Sequence, residues 1–188
     1  MKKTLLFSLM ISCVLIFAAV GSAMDLGLRG IGGEVGLVIP DYAGDNTLGL
    51  GVIADLGTIL PVLRLEAFAN YWGKSWDAGY WEWGWSVITV GGTAKYDFPV
   101  GKSFIPFVGG GAGLAFARWH SDWKGGTDTW WGAAGADTSD TDIDLALHLV
   151  GGVDIPVGTN MKIIVQAKYD ISGTDALWLT GGLMVQLY

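Results

Sequence analysis

The sequence predicts an all-β protein, an eight-stranded antiparallel up-and-down transmembrane β-barrel. The first observation is strict alternation: within residues 161–171, Ile163 and Val165 alternate with Lys162 and Lys168. A period of two is typical of a β-strand with one apolar and one polar face. The second is length, since such segments reach the roughly ten residues that a strand needs to cross a bilayer at a tilt. The third is a mean hydropathy of +0.43 without an apolar run of helical spanning length after residue 23.

The same alternation predicts strands near residues 29–39, 47–56, 62–72, 85–97, 104–117, 142–154, 161–171 and 177–187. Glu34 marks the polar face of the first strand. From the second strand onward, pairs of apolar residues mark the outward face: Leu50 and Val52, Leu63 and Leu65, Ile88 and Val90, Leu114 and Phe116, Leu145 and Leu147, Ile163 and Val165, and Leu183 and Val185. The fifth strand is rich in glycine, and its phase depends on choosing Val108, Ala112, Leu114 and Phe116 as outward.

The predicted connections alternate between short and long. The segments 97–101 and 154–158 both have the form Asp-X-Pro-Val-Gly, in which proline and glycine favour a tight turn, and 57–61 is a third short connection. The intervening segments are longer loops, predicted at 40–46, 73–84 and 119–141, with a shorter one at 172–176. Short turns at one end and longer loops at the other are typical of an outer-membrane barrel.

The N-terminal segment predicts a secretory signal peptide over residues 1–23, followed by an outer-membrane barrel domain over residues 24–188. Lys2 and Lys3 precede an apolar stretch over 5–20, and the small residues at 21–23 suit cleavage. That cleavage pattern disfavours the alternative, an uncleaved membrane helix. The only cysteine, Cys13, leaves with the signal peptide, so no disulfide is expected. Losing the two lysines takes the formal net charge from −7 to −9, which argues against nucleic acid as a partner.

Alternation alone leaves open which face lies inside. A soluble secreted barrel that binds a small apolar ligand would place its apolar face inward. Here the polar face is diluted with Gly, Ala, Thr and Met, whereas a water-facing surface carries more charge, so we expect the apolar face to meet lipid.

This orientation directs a network of charged and polar side chains into the barrel: Glu34, Arg64, Glu66, Lys95, Asp97, Asp144, His148, Lys162, Lys168 and Asp170. The interior of an eight-stranded barrel is narrow, and buried charges need partners. We therefore expect internal salt bridges. The alternative is a narrow porin-like channel for small solutes.

These features resemble the small eight-stranded outer-membrane barrels of the OmpA/OmpX type. The resemblance covers the whole mature chain and includes the run 105–113, a proline-aromatic-glycine strand common in such barrels. It implies an outer-membrane location, contact with outer-membrane lipid and lipopolysaccharide, and assembly by the barrel-assembly machinery. One departure concerns the C-terminal strand signal: Tyr188 is aromatic, but Gln186 interrupts the apolar residues that usually precede it at alternate positions.

Tryptophan is unusually concentrated in two of the predicted loops. Nine of the ten tryptophans lie in these two loops or at the strand ends that flank them, which exceeds what interfacial anchoring obviously requires. Trp76, Trp81, Trp123 and Trp130 lie well inside the loops and are the candidate residues for binding a ligand or partner, because exposed aromatic rings stack on sugars or anchor proteins. The alternative is an aromatic girdle at the membrane interface together with packing between loops.

The sequence predicts neither an enzyme nor a cofactor. His120, Ser121 and Asp122 are residue types of a catalytic triad, but consecutive residues of a strand point in opposite directions. They can meet only if the segment is a loop. His148 lacks a serine two residues away on its own face, where Val150 stands, so the pattern of a lipid A deacylase-like barrel is absent.

The acidic stretch 137–144 has the aspartate spacing of the first ligands of a calcium loop. Leu145 stands where the turn glycine belongs and Gly151 where the bidentate glutamate belongs, so an EF-hand is excluded. A looser divalent-cation site at the lipopolysaccharide surface stays open, with solvated loop charge as the expected alternative.

Overall fold

The computed structural model describes residues 25–41, 45–77, 81–98, 100–101, 103–123 and 138–187, of which residues 77, 81–82, 120–123 and 138–139 are described by their backbone alone. The signal peptide expected over residues 1–23 lies outside the described residues and stays a prediction. The described residues contain no helix long and apolar enough to cross a membrane.

The described chain forms a closed barrel of eight strands, each hydrogen-bonded to its neighbours in chain order. The strands are β1 (Asp25–Pro40), β2 (Thr47–Leu60), β3 (Leu63–Asp77), β4 (Trp81–Asp97), β5 (Ile105–Trp123), β6 (Thr138–Val157), β7 (Met161–Ile171) and β8 (Ala176–Gln186). All neighbouring pairs are antiparallel, including β1 and β8, which close the barrel. The predicted fold class is confirmed.

Side chains alternate between the interior and the exterior of the barrel, in the predicted phase. The outward Leu48, Leu145 and Leu149 are 71%, 65% and 64% exposed, whereas the inward Lys95 and His148 are each 2% exposed. The soluble alternative required the opposite orientation and is wrong. An apolar exterior that covers a backbone with fully paired strands suits the hydrocarbon core of a bilayer.

Two hairpins are longer than predicted. We expected loops over 73–84 and 119–141, but β3 continues to Asp77 and β4 begins at Trp81. Likewise β5 continues to Trp123 and β6 begins at Thr138. The reason is strand pairing: the ladders continue through Trp76–Trp83 and Trp81–Trp123, so backbone groups that a loop would leave to solvent are hydrogen-bonded. We call this end of the barrel the long-hairpin end, and the opposite end the short-turn end.

Two predicted turns are also misplaced. The connection expected over 57–61 is largely strand, since β2 continues to Leu60 and residues 61–62 make the turn. The segment 154–158 was expected to bend, but β6 runs straight through Pro156 to Val157, and residues 158–160 make the turn. Gly158 has φ +70°, a conformation that glycine adopts without steric cost. β5 pairs with β6 only as far as Asp154, so Pro156 lies where β6 has a single neighbour and a missing N–H is tolerated.

Candidate ligand-binding site at the long-hairpin end

The part of the barrel interior nearer the short-turn end is filled by salt bridges centred on Arg64. Its guanidinium lies 2.7 Å from Asp154 Oδ2 and 3.2 Å from Asp97 Oδ1. Lys162 Nζ approaches the same Asp154 oxygen at 3.1 Å and Asp55 Oδ2 at 3.5 Å. Two cations therefore share three carboxylates, and burial of these charges is offset by their mutual attraction.

Lys95 forms the next layer. Its ammonium lies 2.6 Å from Glu66 Oε2, donates to Gln166 Oε1 at 3.0 Å and sits 4.2 Å from the centre of the Phe107 ring. Gln166 Nε2 in turn donates to Glu34 Oε2 at 2.7 Å. These links cross the lumen from β3 and β4 to β7 and β1, so they tie opposite walls of the barrel together.

Lys168 and His148 form the part of this network nearer the long-hairpin end. Lys168 Nζ lies 3.4 Å from Asp170 Oδ2 and 4.3 Å from the centre of the Phe68 ring. His148 Nε2 lies 2.9 Å from Thr93 Oγ1. Asp144 is farther along β6 at the long-hairpin end, against the backbone of Gly173. The structure thus places all ten predicted network residues on the inner face, with Asp144 apart at the rim.

Little space remains between these side chains. The cavity bordered by Glu34, Glu66, Lys95 and Lys168 has a volume of about 10 Å³. A single water molecule needs about that much. This packing gives no support to the channel alternative.

A layer of apolar side chains lies between the charged network and the long-hairpin end and closes the interior there. Val38, Trp72, Val87 and Trp178 are buried together there, and Trp178 is 1% exposed. Gly49 makes room for the indole of Trp178, since a Cβ at this position would lie 2.3 Å from the ring. Trp72 and Trp178 are therefore core residues of the barrel rather than members of a lipid-facing girdle.

The remaining described tryptophans of β3 and β4 continue along the same inner face. Trp76 pairs with Trp83 across the hairpin, and Trp85 pairs with Lys74 one step lower. Because cross-strand partners share a face and residues two apart along a strand do too, these rings follow Trp72 and face the barrel axis. These residues therefore do not form the lipid-facing girdle that was the alternative. We call Trp72, Trp76, Trp83 and Trp85 together the tryptophan wall, which lines the mouth of the barrel.

These rings enclose a cavity of about 360 Å³ at the mouth of the barrel. It is lined by Pro40, Trp72, Trp76, Trp83, Trp85, Thr174 and Asp175. In a closed barrel of eight strands, β3 and β4 lie opposite β7 and β8. The cavity therefore has a tryptophan wall on one side and a polar wall, from the β7–β8 turn, on the other.

The polar wall is acidic. Asp175 Oδ1 accepts a hydrogen bond from the Ser172 backbone N–H at 2.7 Å, and the Asp175 carbonyl accepts one from the Asp41 N–H at 3.0 Å. Asp144 lies against the same turn, at Gly173. The carboxylates of Asp144 and Asp175 therefore lie at this turn, whereas the Asp41 carboxylate accepts a hydrogen bond at 3.0 Å from Tyr169, which lies on the outer face of β7. On the opposite side, Lys74 Nζ is held by Asp45 Oδ2 at 3.1 Å.

The four tryptophans predicted as binding residues are only partly tested by this arrangement. Trp76 lines the cavity, half-buried. The backbones of Trp81 and Trp123 are partners in the β4–β5 ladder, but their side chains lie outside the described part of the chain. All of Trp130 also lies outside it. The binding role of these residues stays a prediction.

Sequence reasoning missed Trp72, Trp83 and Trp85 as lining residues. A signal was present: positions 81, 83 and 85 alternate, as do 72, 74 and 76, and this is the period of a strand rather than a loop. Extending the alternation past residues 72 and 85 would have placed all three rings on the inner face.

Two other candidate chemistries concern the described residues. The backbone of segment 120–122 belongs to β5, so the loop conformation that a triad among these residues would require is not present. Among the described residues, no group of three or more His, Cys, Asp or Glu side chains is arranged to hold a metal ion. Asp137, the first residue of the acidic stretch, lies outside those residues.

No protein-family model and no curated protein matches this sequence. The fold, however, is similar to several solved structures. A major outer membrane protein from Thermus thermophilus aligns with a TM-score of 0.60 and 13% identity, over 85% of this chain and 99% of that one. Neisserial surface protein A aligns with a TM-score of 0.57 and 16% identity, over 84% of this chain and 95% of that one.

Ail, the attachment invasion locus protein of Yersinia pestis, crystallised with the heparin analogue sucrose octasulfate, aligns with a TM-score of 0.52 and 14% identity, over 85% of this chain and 95% of that one. Similarity at such low identity shows the fold. The chain therefore has the fold of the small eight-stranded outer-membrane β-barrels, and the predicted resemblance to the OmpA/OmpX type is confirmed. The apolar exterior described above suits a barrel that crosses a membrane.

Proposed function

We propose that this protein is an integral outer-membrane barrel, closed to solutes, that presents a small-ligand site to the cell exterior. The observation that carries the proposal is the cavity of about 360 Å³ walled by four tryptophans. Among the charged side chains between this cavity and the short-turn end, the described cavity bordered by Glu66 and Lys95 is only about 10 Å³. Ligand sites are concave, mostly apolar and furnished with a few polar groups, and about 300 Å³ is their lower size limit.

The lengths of the connections indicate which end of the barrel faces outward. Outer-membrane barrels carry short periplasmic turns and longer outer loops, so the long-hairpin end faces outward. Export by a signal peptide over residues 1–23, contact with lipopolysaccharide, and assembly by the barrel-assembly machinery belong to this proposal. The role is structural or surface interaction, without catalysis.

The ligand of Ail is not transferred to this protein. Sucrose octasulfate is a polyanion, whereas the carboxylate of Asp175 lines the mouth cavity and that of Asp144 lies against the same turn. Like charges repel, so a polyanion is a poor occupant of this site.

The test is a binding panel on the protein refolded in a polyoxyethylene detergent, which offers neither a sugar nor an ammonium group. Three small probes are titrated by calorimetry: choline, methyl β-glucoside and the neutral alcohol 3,3-dimethylbutan-1-ol. We expect saturable binding of at least one probe, weakened about tenfold by Trp83→Leu because ring contact is lost.

The matched control is Tyr71→Leu. Tyr71 is 48% exposed and Trp83 47%, and both lie near the long-hairpin end, but Tyr71 lies on the outer face of β3 and does not line the mouth cavity. Absence of saturable binding for all three probes, or equal losses in the two variants, contradicts a ligand site at the mouth.

A further inference from the structure

The charges around the mouth have one predominant sign. On the inner face of the long-hairpin end, the described acidic side chains are Asp140, Asp142, Asp144 and Asp175, and Asp41 and Asp45 lie on the rim. The described cations at this end are Lys74, on the inner face of β3, and Arg118, which is exposed on the outer face of β5. A concave site surrounded by carboxylates concentrates cations and repels anions.

Lys74 does not cancel this field inside the cavity. Its ammonium pairs with Asp45 Oδ2 at 3.1 Å and donates to the Asn46 carbonyl at 3.4 Å. It also lies 5.8 Å from the centre of the Trp76 ring. The indole wall therefore already attracts one cation at its edge, in the geometry of a cation–π contact.

The two walls of the cavity define what occupies it. Trp72, Trp76, Trp83 and Trp85 present indole rings, the aromatic groups that bind cations best. Asp175, on the opposite wall, supplies a negative charge. A neutral apolar molecule would use the rings and leave the carboxylate unpaired, whereas an organic cation uses both.

The type of cation follows from the scarcity of hydrogen-bond acceptors. Thr174 and Asp175 are the polar side chains on the described lining of the cavity. A primary ammonium is strongly hydrated and directs three N–H groups at acceptors, whereas Asp175 Oδ1 already accepts from the Ser172 N–H and the Thr174 hydroxyl is already hydrogen-bonded to Ser172. An ammonium whose hydrogens are replaced by methyl groups loses little hydration and presents an apolar surface to the rings.

We propose that the mouth cavity binds a small organic cation with a quaternary ammonium group, held by the four tryptophans and by Asp175. This inference rests on the proposed function, since it names the class of ligand for that site.

The test compares choline with 3,3-dimethylbutan-1-ol, which has the same shape but a carbon atom in place of the charged nitrogen. Titration of the intact, refolded protein by calorimetry should give binding of choline about tenfold tighter than that of the alcohol. Sucrose octasulfate should not bind.

A charge variant provides a second arm. Asp175→Asn keeps the acceptor for the Ser172 N–H but removes the charge, and it should weaken choline binding about fivefold without affecting the alcohol. Asp140→Asn makes the same change in net charge outside the cavity and should alter affinity less than about twofold. Heat-modifiable gel migration verifies that both variants are folded barrels.

The outcomes separate the two proposals. Equal affinity for choline and the alcohol, or saturable binding of methyl β-glucoside or sucrose octasulfate but not choline, overturns the quaternary ammonium and leaves a ligand site of another chemistry. No binding of any probe overturns both.

Discussion

Replacing Leu147 with arginine tests how the barrel sits in lipid. Leu147 is 48% exposed on the outer face of β6, in a row of outward apolar residues that extends from Ile143 to Ile155. At a rise of about 3.3 Å per residue and a tilt of about 45°, this row spans about 28 Å of membrane height. That height matches the apolar band of about 25 Å found on outer-membrane barrels. The middle of the row is Leu149, so Leu147 lies about 5 Å from the membrane centre.

The expected cost follows from this depth. An arginine near the midplane destabilises a barrel by about 2–4 kcal/mol, so we expect Leu147→Arg to lower the free energy of unfolding by about 2–3 kcal/mol. Ile143 lies on the same face but about 14 Å from the centre, where the penalty falls to about 1 kcal/mol or less. Ile143→Arg is therefore the matched control, and Leu147→Ala separates the lost packing from the introduced charge.

The assay is reversible urea unfolding of the protein in phosphatidylglycerol vesicles, followed by tryptophan fluorescence. A penalty for Leu147→Arg that exceeds the one for Ile143→Arg by at least about 1 kcal/mol agrees with the assigned depth. Equal penalties at the two positions, or none at Leu147, would mean that this face does not contact acyl chains.

Three further predictions concern the interior. Lys95→Met should destabilise the barrel by about 3–5 kcal/mol, because the buried Glu66 then has only Arg64 Nε, at 3.5 Å, as a cationic partner. Adding Glu66→Gln should recover part of this loss of stability in urea unfolding. No recovery would contradict the pairing of Lys95 with Glu66. Gly49→Val should cost about 1–3 kcal/mol and change the near-ultraviolet circular dichroism, since its side chain collides with Trp178, and an unchanged spectrum would refute that contact. In planar bilayers the purified protein should show no stable conductance steps, whereas regular single-channel steps would contradict a closed interior.

The strands and their orientation were predictable because their signal is local. A period of two in β7, from Met161 to Ile171, identifies both the strand and its buried face without knowledge of any partner. The predicted bounds of this strand match the structure. The inward placement of the charged residues followed from the same parity, since Lys162 and Lys168 alternate with outward apolar residues.

Partner identity and the register of the long hairpins were not predictable. The ion pair of Arg64 and Asp154 joins residues that are 90 positions apart and belong to strands across the barrel, so it depends on the closed topology. Alternation at 72–76 and 81–85 signalled that both strands continue, but the pairing of Trp76 with Trp83 depends on a register that neither segment reveals alone. The mouth cavity was missed for that reason: its walls exist only once β3 and β4 are paired and β8 lies opposite.

The most direct test of a ligand site at the mouth is the response of individual indole N–H signals to choline. In proton–nitrogen correlation spectra of the protein in a polyoxyethylene micelle, each tryptophan gives a separate side-chain signal that single Trp→Phe variants assign. We expect saturable shifts for Trp76, Trp83 and Trp85, which line the cavity, and smaller ones for Trp119, which pairs with Trp85 but lies outside the lining. No saturable shift at the three lining residues, or shifts of similar size at Trp119, would contradict a binding site between the tryptophan wall and Asp175.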